Sequence, residues 1–147
     1  MDTFFNDKSR PITVWVRGVG EYSEKTFHKF VDLLIEHDIE VQDYCVPCSH
    51  SGIVFSNKVT TEFCEQLCEL SHNGQIQVLA YCQEAISGEV IWQLMEAGAS
   101  DVLVCTKDNL IILEIVARLR RWEAINHLLN SSLVQNALVG KSQTLQT

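Results

Sequence analysis

The chain has 147 residues, is 46% hydrophobic and 20% charged, and carries a formal net charge of −8. That is one ordinary globular domain with room for a proper core, and the acidic balance argues against a nucleic-acid-binding surface, which needs clustered Lys and Arg. The first ten residues, MDTFFNDKSR, hold no basic n-region followed by an apolar stretch, and the longest apolar run, Leu110 to Ala117, is interrupted by Glu114, so secretion and membrane insertion are both unexpected and a cytoplasmic location is expected.

In chain order, strands alternate with helices. Ile12 to Val16 (ITVWV) follows Pro11 as an apolar run suited to a central parallel strand. Arg17-Gly-Val-Gly20 is a turn, and Ser23 is placed to cap the next helix. In that helix Phe27, Phe30, Val31, Leu34 and Ile35 form one apolar stripe. Glu40 to Tyr44 is a polar second strand, better placed at a sheet edge, and Val46 to Ser51 is too short for a full helix. Gly52 to Ser56 (GIVFS) is a third strand. Thr61 to Ser71 is a helix with Cys64, Leu67 and Cys68 expected inward, Asn73-Gly74 is a turn, and Ile76 to Cys82 is a fourth strand. The next helix, from Gly88, offers Val90, Ile91, Leu94 and Met95 as its apolar face and ends at Gly98. Asp101 to Cys105 reads as a fifth strand covered on both faces; Thr106 to Asp108 supplies capping chemistry, and Leu110 opens a helix running past Trp122. Five strands with intervening helices imply right-handed crossovers and a flavodoxin-like parallel sheet of order 2-1-3-4-5 with helices on both faces.

The succession from Gly88 to Trp122, in which a helix, Gly-Ala-Ser-Asp, a strand and a helix follow one another, resembles the last third of a bacterial response-regulator (CheY-like) receiver domain. The resemblance implies a site of known chemistry. An acidic pair after the first strand holds Mg²⁺, an Asp ending the third strand takes the phosphoryl group, and a Thr or Ser after the fourth strand and a Lys after the fifth read it. Carried over residue by residue, the acidic pair falls on Arg17 and Gly18, the acceptor on Ser56 (or Phe55), the Thr/Ser on Tyr81 and the Lys on Cys105, with Lys107 a displaced stand-in. Mg²⁺ demands carboxylate oxygens, and a cationic Arg17 beside it would repel it. The expectation is a pseudo-receiver that two-component phosphorylation does not switch, with no catalytic residues, no cofactor and no metal.

Ala137-Leu-Val-Gly-Lys-Ser-Gln-Thr-Leu-Gln146 is similar to the opening of the AAA+ ATPase domain in sigma-54-dependent (NtrC-family) transcription activators; Leu138, Val139, Gly140, Ser142, Leu145 and Gln146 fit that pattern. Gly140-Lys-Ser142 is not a phosphate-binding loop, because the upstream glycine is missing. The resemblance implies three segments: a receiver-like regulatory domain over 1–122, a linker helix over 123–136, and the start of a truncated ATPase domain over 137–147. Contact with sigma-54 RNA polymerase and DNA would then come only through domains beyond this chain.

Along the linker, Ile112, Ile115, Leu119, Trp122, Leu129 and Leu133 recur at alternating spacings of three and four, with Asn126 between, a coiled-coil seam. The first three are expected to face the domain's own sheet. Trp122, Ile125, Asn126, Leu129 and Leu133 are expected to form a homodimer interface. A rival to the pseudo-receiver reading is a small-ligand sensor, with Arg17, Gly18 and Gly20 at the carboxyl end of the sheet binding an anion such as a nucleotide second messenger; only part of a dinucleotide fingerprint is present. Cys45-Val-Pro-Cys48 with His50 nearby admits a zinc site or a redox pair, but plain reduced thiols are the simpler reading. The five histidines are scattered and no Ser/His/Asp grouping is recognisable, so an enzyme is not expected.

Overall fold

A computed structural model of the chain describes residues 11–44, 50–84, 86–104 and 108–143, with side chains over 111–129 in the last stretch. The elements run β1 (Ile12–Gly18), α1 (Glu24–Glu36), β2 (Ile39–Gln42), β3 (Gly52–Ser56), α2 (Thr61–Leu70), β4 (Val78–Cys82), α3 (Gly88–Ala97), β5 (Asp101–Val104) and α4 (Asp108–Gln143). All strand pairs are parallel and the order is β2-β1-β3-β4-β5, the flavodoxin-like arrangement expected. The chain divides into two compact units, Met1–Val116 and Ala117–Thr147, and the sheet belongs to the first.

Every residue of β3 and β4 is buried, which is why both read as short unbroken apolar runs without alternation. On one face Trp15, Val54, Val78 and Ala80 meet Phe63, Leu67 and Leu70 of α2 and Leu94 of α3. On the other, Phe30 of α1 lies 5.4 Å from Phe55 and 5.0 Å from Tyr81 between ring centroids, and Ile112 and Ile115 at the start of α4 are buried. Three helices begin on hydroxyl caps. Ser23 accepts from Thr26 N–H, Thr60 from Phe63 N–H and Ser87 from Val90 N–H, each satisfying one orphan donor of a first turn.

Gly52 lets the sheet carry its largest core residue. The Trp15 indole lies across it so closely that a Cβ there would sit 1.9 Å from a ring carbon. Trp15 is 1% exposed and its Nε1–H donates to His50 O at 2.9 Å, so the indole is both packed and satisfied.

Several inward faces differ from expectation. In α2 the buried residues are Phe63, Leu67 and Leu70, while Cys64 and Cys68 are half-buried; the larger Phe63 and Leu70 turn the helix by about one position. In α1 only Phe30 and Leu34 are buried, and Ile35 is 54% exposed. In α3 Leu94 alone is buried, and Met95 is exposed along with Trp92. β5 is an edge strand whose four residues are all half-buried, so it is not covered on both faces. β2 is the opposite edge, as its polarity required. The Cys45–Cys48 motif lies outside the described residues, and Val46 to Ser51 does so in all but its last two positions.

Within the second unit α4 leaves Ile125, Leu128 and Leu129 at 44%, 65% and 54% exposure, with Trp122 and Asn126 half-buried. The side chain of Leu133 lies outside the described residues. No described helix is long and apolar enough to cross a membrane.

Candidate functional site

The carboxyl ends of β1, β3 and β4 meet where three connections are tied to one another. Beyond β1, Val19 N–H donates to Phe55 O at 2.9 Å, and Asn57 N–H donates to Glu21 O at 2.8 Å. Beyond β4, Gln83 N–H donates to Ser56 O and Glu84 N–H to Asn57 O, both at 3.0 Å. Ser56 is fully buried, and its hydroxyl has Glu21 O (3.1 Å) and Lys58 O (3.0 Å) as acceptors while it accepts Lys58 N–H. A hydroxyl that donates its one proton to a loop carbonyl and accepts a loop N–H in this way is a strut between loops. The next residue, Asn57, is the first beyond β3, and its Oδ1 is buried without a hydrogen-bond partner among the described residues.

Arg17 and Gly18 do not converge. Successive strand residues face opposite sides, and Arg17 leaves on the side of Trp15, its guanidinium 5.9 Å over the Tyr44 ring. Tyr44 in turn packs edge-on to Trp15 at 5.0 Å, and its hydroxyl lies 3.1 Å from His72 Nε2. Gly18 faces the α1 side, where the Tyr22 ring lies over it. A Cβ at Gly18 would sit 2.4–2.8 Å from three Tyr22 ring carbons. Gly20 takes φ +66° in the same loop, a conformation that glycine adopts without a Cβ clash. Tyr81 is buried and packs with Phe30 and Phe55. Cys105 lies outside the described residues. The four described positions named from sequence therefore do not form one pocket. Arg17 sits apart on an aromatic ring, Gly18 is covered, and Ser56 and Tyr81 are built into the interior.

Sequence reasoning passed over Tyr22, which closes the loop, and Asn57. It also passed over an open cleft of about 510 Å³ between the first turns of α2 and α3, lined by Lys58, Thr60, Thr61, Glu84, Ser87 and Gln93 over a floor that includes Cys64 and Val90. The caps Thr60 and Ser87 were legible as Ser/Thr before an apolar run; that they share one cleft follows only from the parallel order of β3 and β4. Burial pushes the thiols of Cys64 and Cys82 up from the usual cysteine value, which disfavours the thiolate in both. Among the described residues no group of His, Cys, Asp and Glu could hold a metal ion.

No protein-family model matches the sequence, and no curated protein does. Solved structures do match. A response regulator from Burkholderia multivorans shares 15% identity and a TM-score of 0.53 over 76% of this chain and 96% of its own. An orphan response regulator of H. pylori aligns at 13% identity and TM-score 0.53 over 74% of this chain and 96% of its own. The fold is that of a response-regulator receiver. A pilus assembly-related protein from Burkholderia pseudomallei K96243 aligns at 14% identity and TM-score 0.56, covering 74% of this chain and 88% of its own. At these identities the likeness is one of fold. The receiver-like architecture places the residues after β1, β3 and β4 at the carboxyl end of the sheet, where open α/β folds keep their sites.

Proposed function

We propose that this is a pseudo-receiver: a regulatory domain with receiver architecture that does not work through an aspartyl phosphate. The observation that carries the reading is the covered Gly18. Where the resemblance puts a metal-binding carboxylate there is a glycine beneath an aromatic ring, and where it puts the acceptor there is a buried serine already bound to two loops. In this reading the domain acts by controlling association through α4, and through it the AAA+ ATPase of a sigma-54-dependent regulator whose opening the residues after Ala137 resemble. Support for association comes from Ile125, Leu128 and Leu129, three large apolar side chains exposed within five positions of one helix. Burying such a side chain contributes roughly 1.5–3 kcal/mol, so a pair of helices covering all of them has ample driving force. Sedimentation equilibrium at tens of micromolar is expected to give a homodimer, and a monomer at that concentration would contradict the role given to α4.

The cleft between α2 and α3 supports a second reading, in which a small ligand sets the state of the domain. Its volume of about 510 Å³ is within the range of small-molecule sites, about 300–1,000 Å³. In this form the ligand contacts Lys58, Thr60 and Ser87, and Arg17 and Gly20 play no part.

A further inference from the structure

We infer that Tyr22 is a resident plug, which occupies the carboxyl-end site and keeps it closed to cations independently of the missing carboxylates. The inference rests on the pseudo-receiver reading and adds a second barrier to it. Three observations converge. The ring of Tyr22 lies on Gly18 closely enough that even a methyl group there would overlap three ring carbons. The ring is held from the sides by Phe27 at 5.6 Å and Phe55 at 6.2 Å, the latter edge to face, an arrangement favoured for aromatic pairs. The loop that carries it is fastened down just before the ring, by Glu21 O accepting from both Asn57 N–H and the Ser56 hydroxyl, and by Val19 N–H on Phe55 O.

The consequence is a dependence of one residue on the other that neither shows alone. With Gly18 present, Tyr22 fills space and stabilises. With any side chain at 18, the same ring is in the way. A carboxylate placed at 18 therefore meets the tip of that ring, which must move aside before a cation can be collected, and the buried Oδ1 of Asn57 beyond β3 marks a second oxygen position at this end of the sheet.

The test uses the full 147-residue chain. In the wild-type background Tyr22→Ala is expected to lower the melting temperature by about 5 °C; in a Gly18→Ala background the same change is expected to raise it. A loss of similar size in both backgrounds would overturn the inference. In a second arm, Mn²⁺ binding is followed by electron paramagnetic resonance in Gly18→Asp/Asn57→Asp chains with and without Tyr22→Ala. At least tenfold tighter binding is expected once the ring is removed. Equal binding in the two, or binding in neither, would show that the ring does not keep the cation out. Should the Gly18→Asp/Asn57→Asp chain that retains Tyr22 fail to fold, the melting pair decides alone. Both arms read engineered chains, so they can fail while the wild-type domain still refuses phosphoryl donors, and the two ideas are separable.

Discussion

Replacing Gly52 by Ala is expected to destabilise the domain by on the order of 3 kcal/mol or more, the upper end for overpacking a rigid core. The added methyl would fall 1.9–2.3 Å from three atoms of the Trp15 indole. Neither partner can retreat. Gly52 is in a central strand, with Gly52 N–H donating to Gln77 O, and Trp15 N–H donates to Ser51 O as its indole N–H holds His50 O. Trp15→Ala alone is expected to cost about 3–5 kcal/mol as a large core truncation. Combined with Gly52→Ala the loss should be clearly less than additive, because the clash disappears with the ring. Denaturant unfolding of the two single variants and the double variant measures this. Additive losses would mean that the two residues do not meet as described.

Ile125→Glu with Leu129→Glu is expected to weaken self-association by at least a hundredfold while leaving the sheet folded. The two exposed side chains are one turn apart on α4, and a dimer would place four added carboxylates in one apolar seam. Losing roughly 1.5–3 kcal/mol of burial at each of four positions, with charge repulsion added, exceeds the 2.8 kcal/mol or so that a hundredfold change represents. Light scattering reads the association and circular dichroism the fold. A variant that stays dimeric would move the interface elsewhere, and the exposed Trp92 and Met95 of α3 would be the next surface to mutate.

The fold was legible in the chain because its signals are strong and local. ITVWV, GIVFS and the apolar run before Cys82 are strands whatever surrounds them, and Ser23 announces the helix after β1. Helix faces were less legible. Cys64 and Cys68 have the right spacing for a buried stripe in α2, but Phe63 and Leu70 bury more apolar area and win the orientation. β5 reads as fully covered because its residues are apolar, although the expected strand order already puts it at the edge; how far the helices reach over an edge strand depends on tertiary packing, which composition does not carry. The site was the least legible part. Arg17 and Gly18 are neighbours in sequence and so invite a common role, yet strand alternation sends them to opposite faces. The residue that lies over Gly18 is Tyr22, which only the path of the loop brings back onto the strand. Ser56 has the look of a substituted acceptor in sequence, but its work as a strut depends on Glu21 and Lys58 carbonyls that no pattern reports.

The central claim, a receiver fold without receiver chemistry, is tested most directly by ³¹P and amide NMR of the wild-type chain with Mg²⁺ and acetyl phosphate, and then with beryllofluoride. The account predicts no protein-bound phosphorus signal and no shift of the Gly18, Ser56, Asn57 and Lys58 amides at saturating Mg²⁺. A stoichiometric acyl-phosphate resonance, or a beryllofluoride-dependent shift centred on the end of β3, would contradict it.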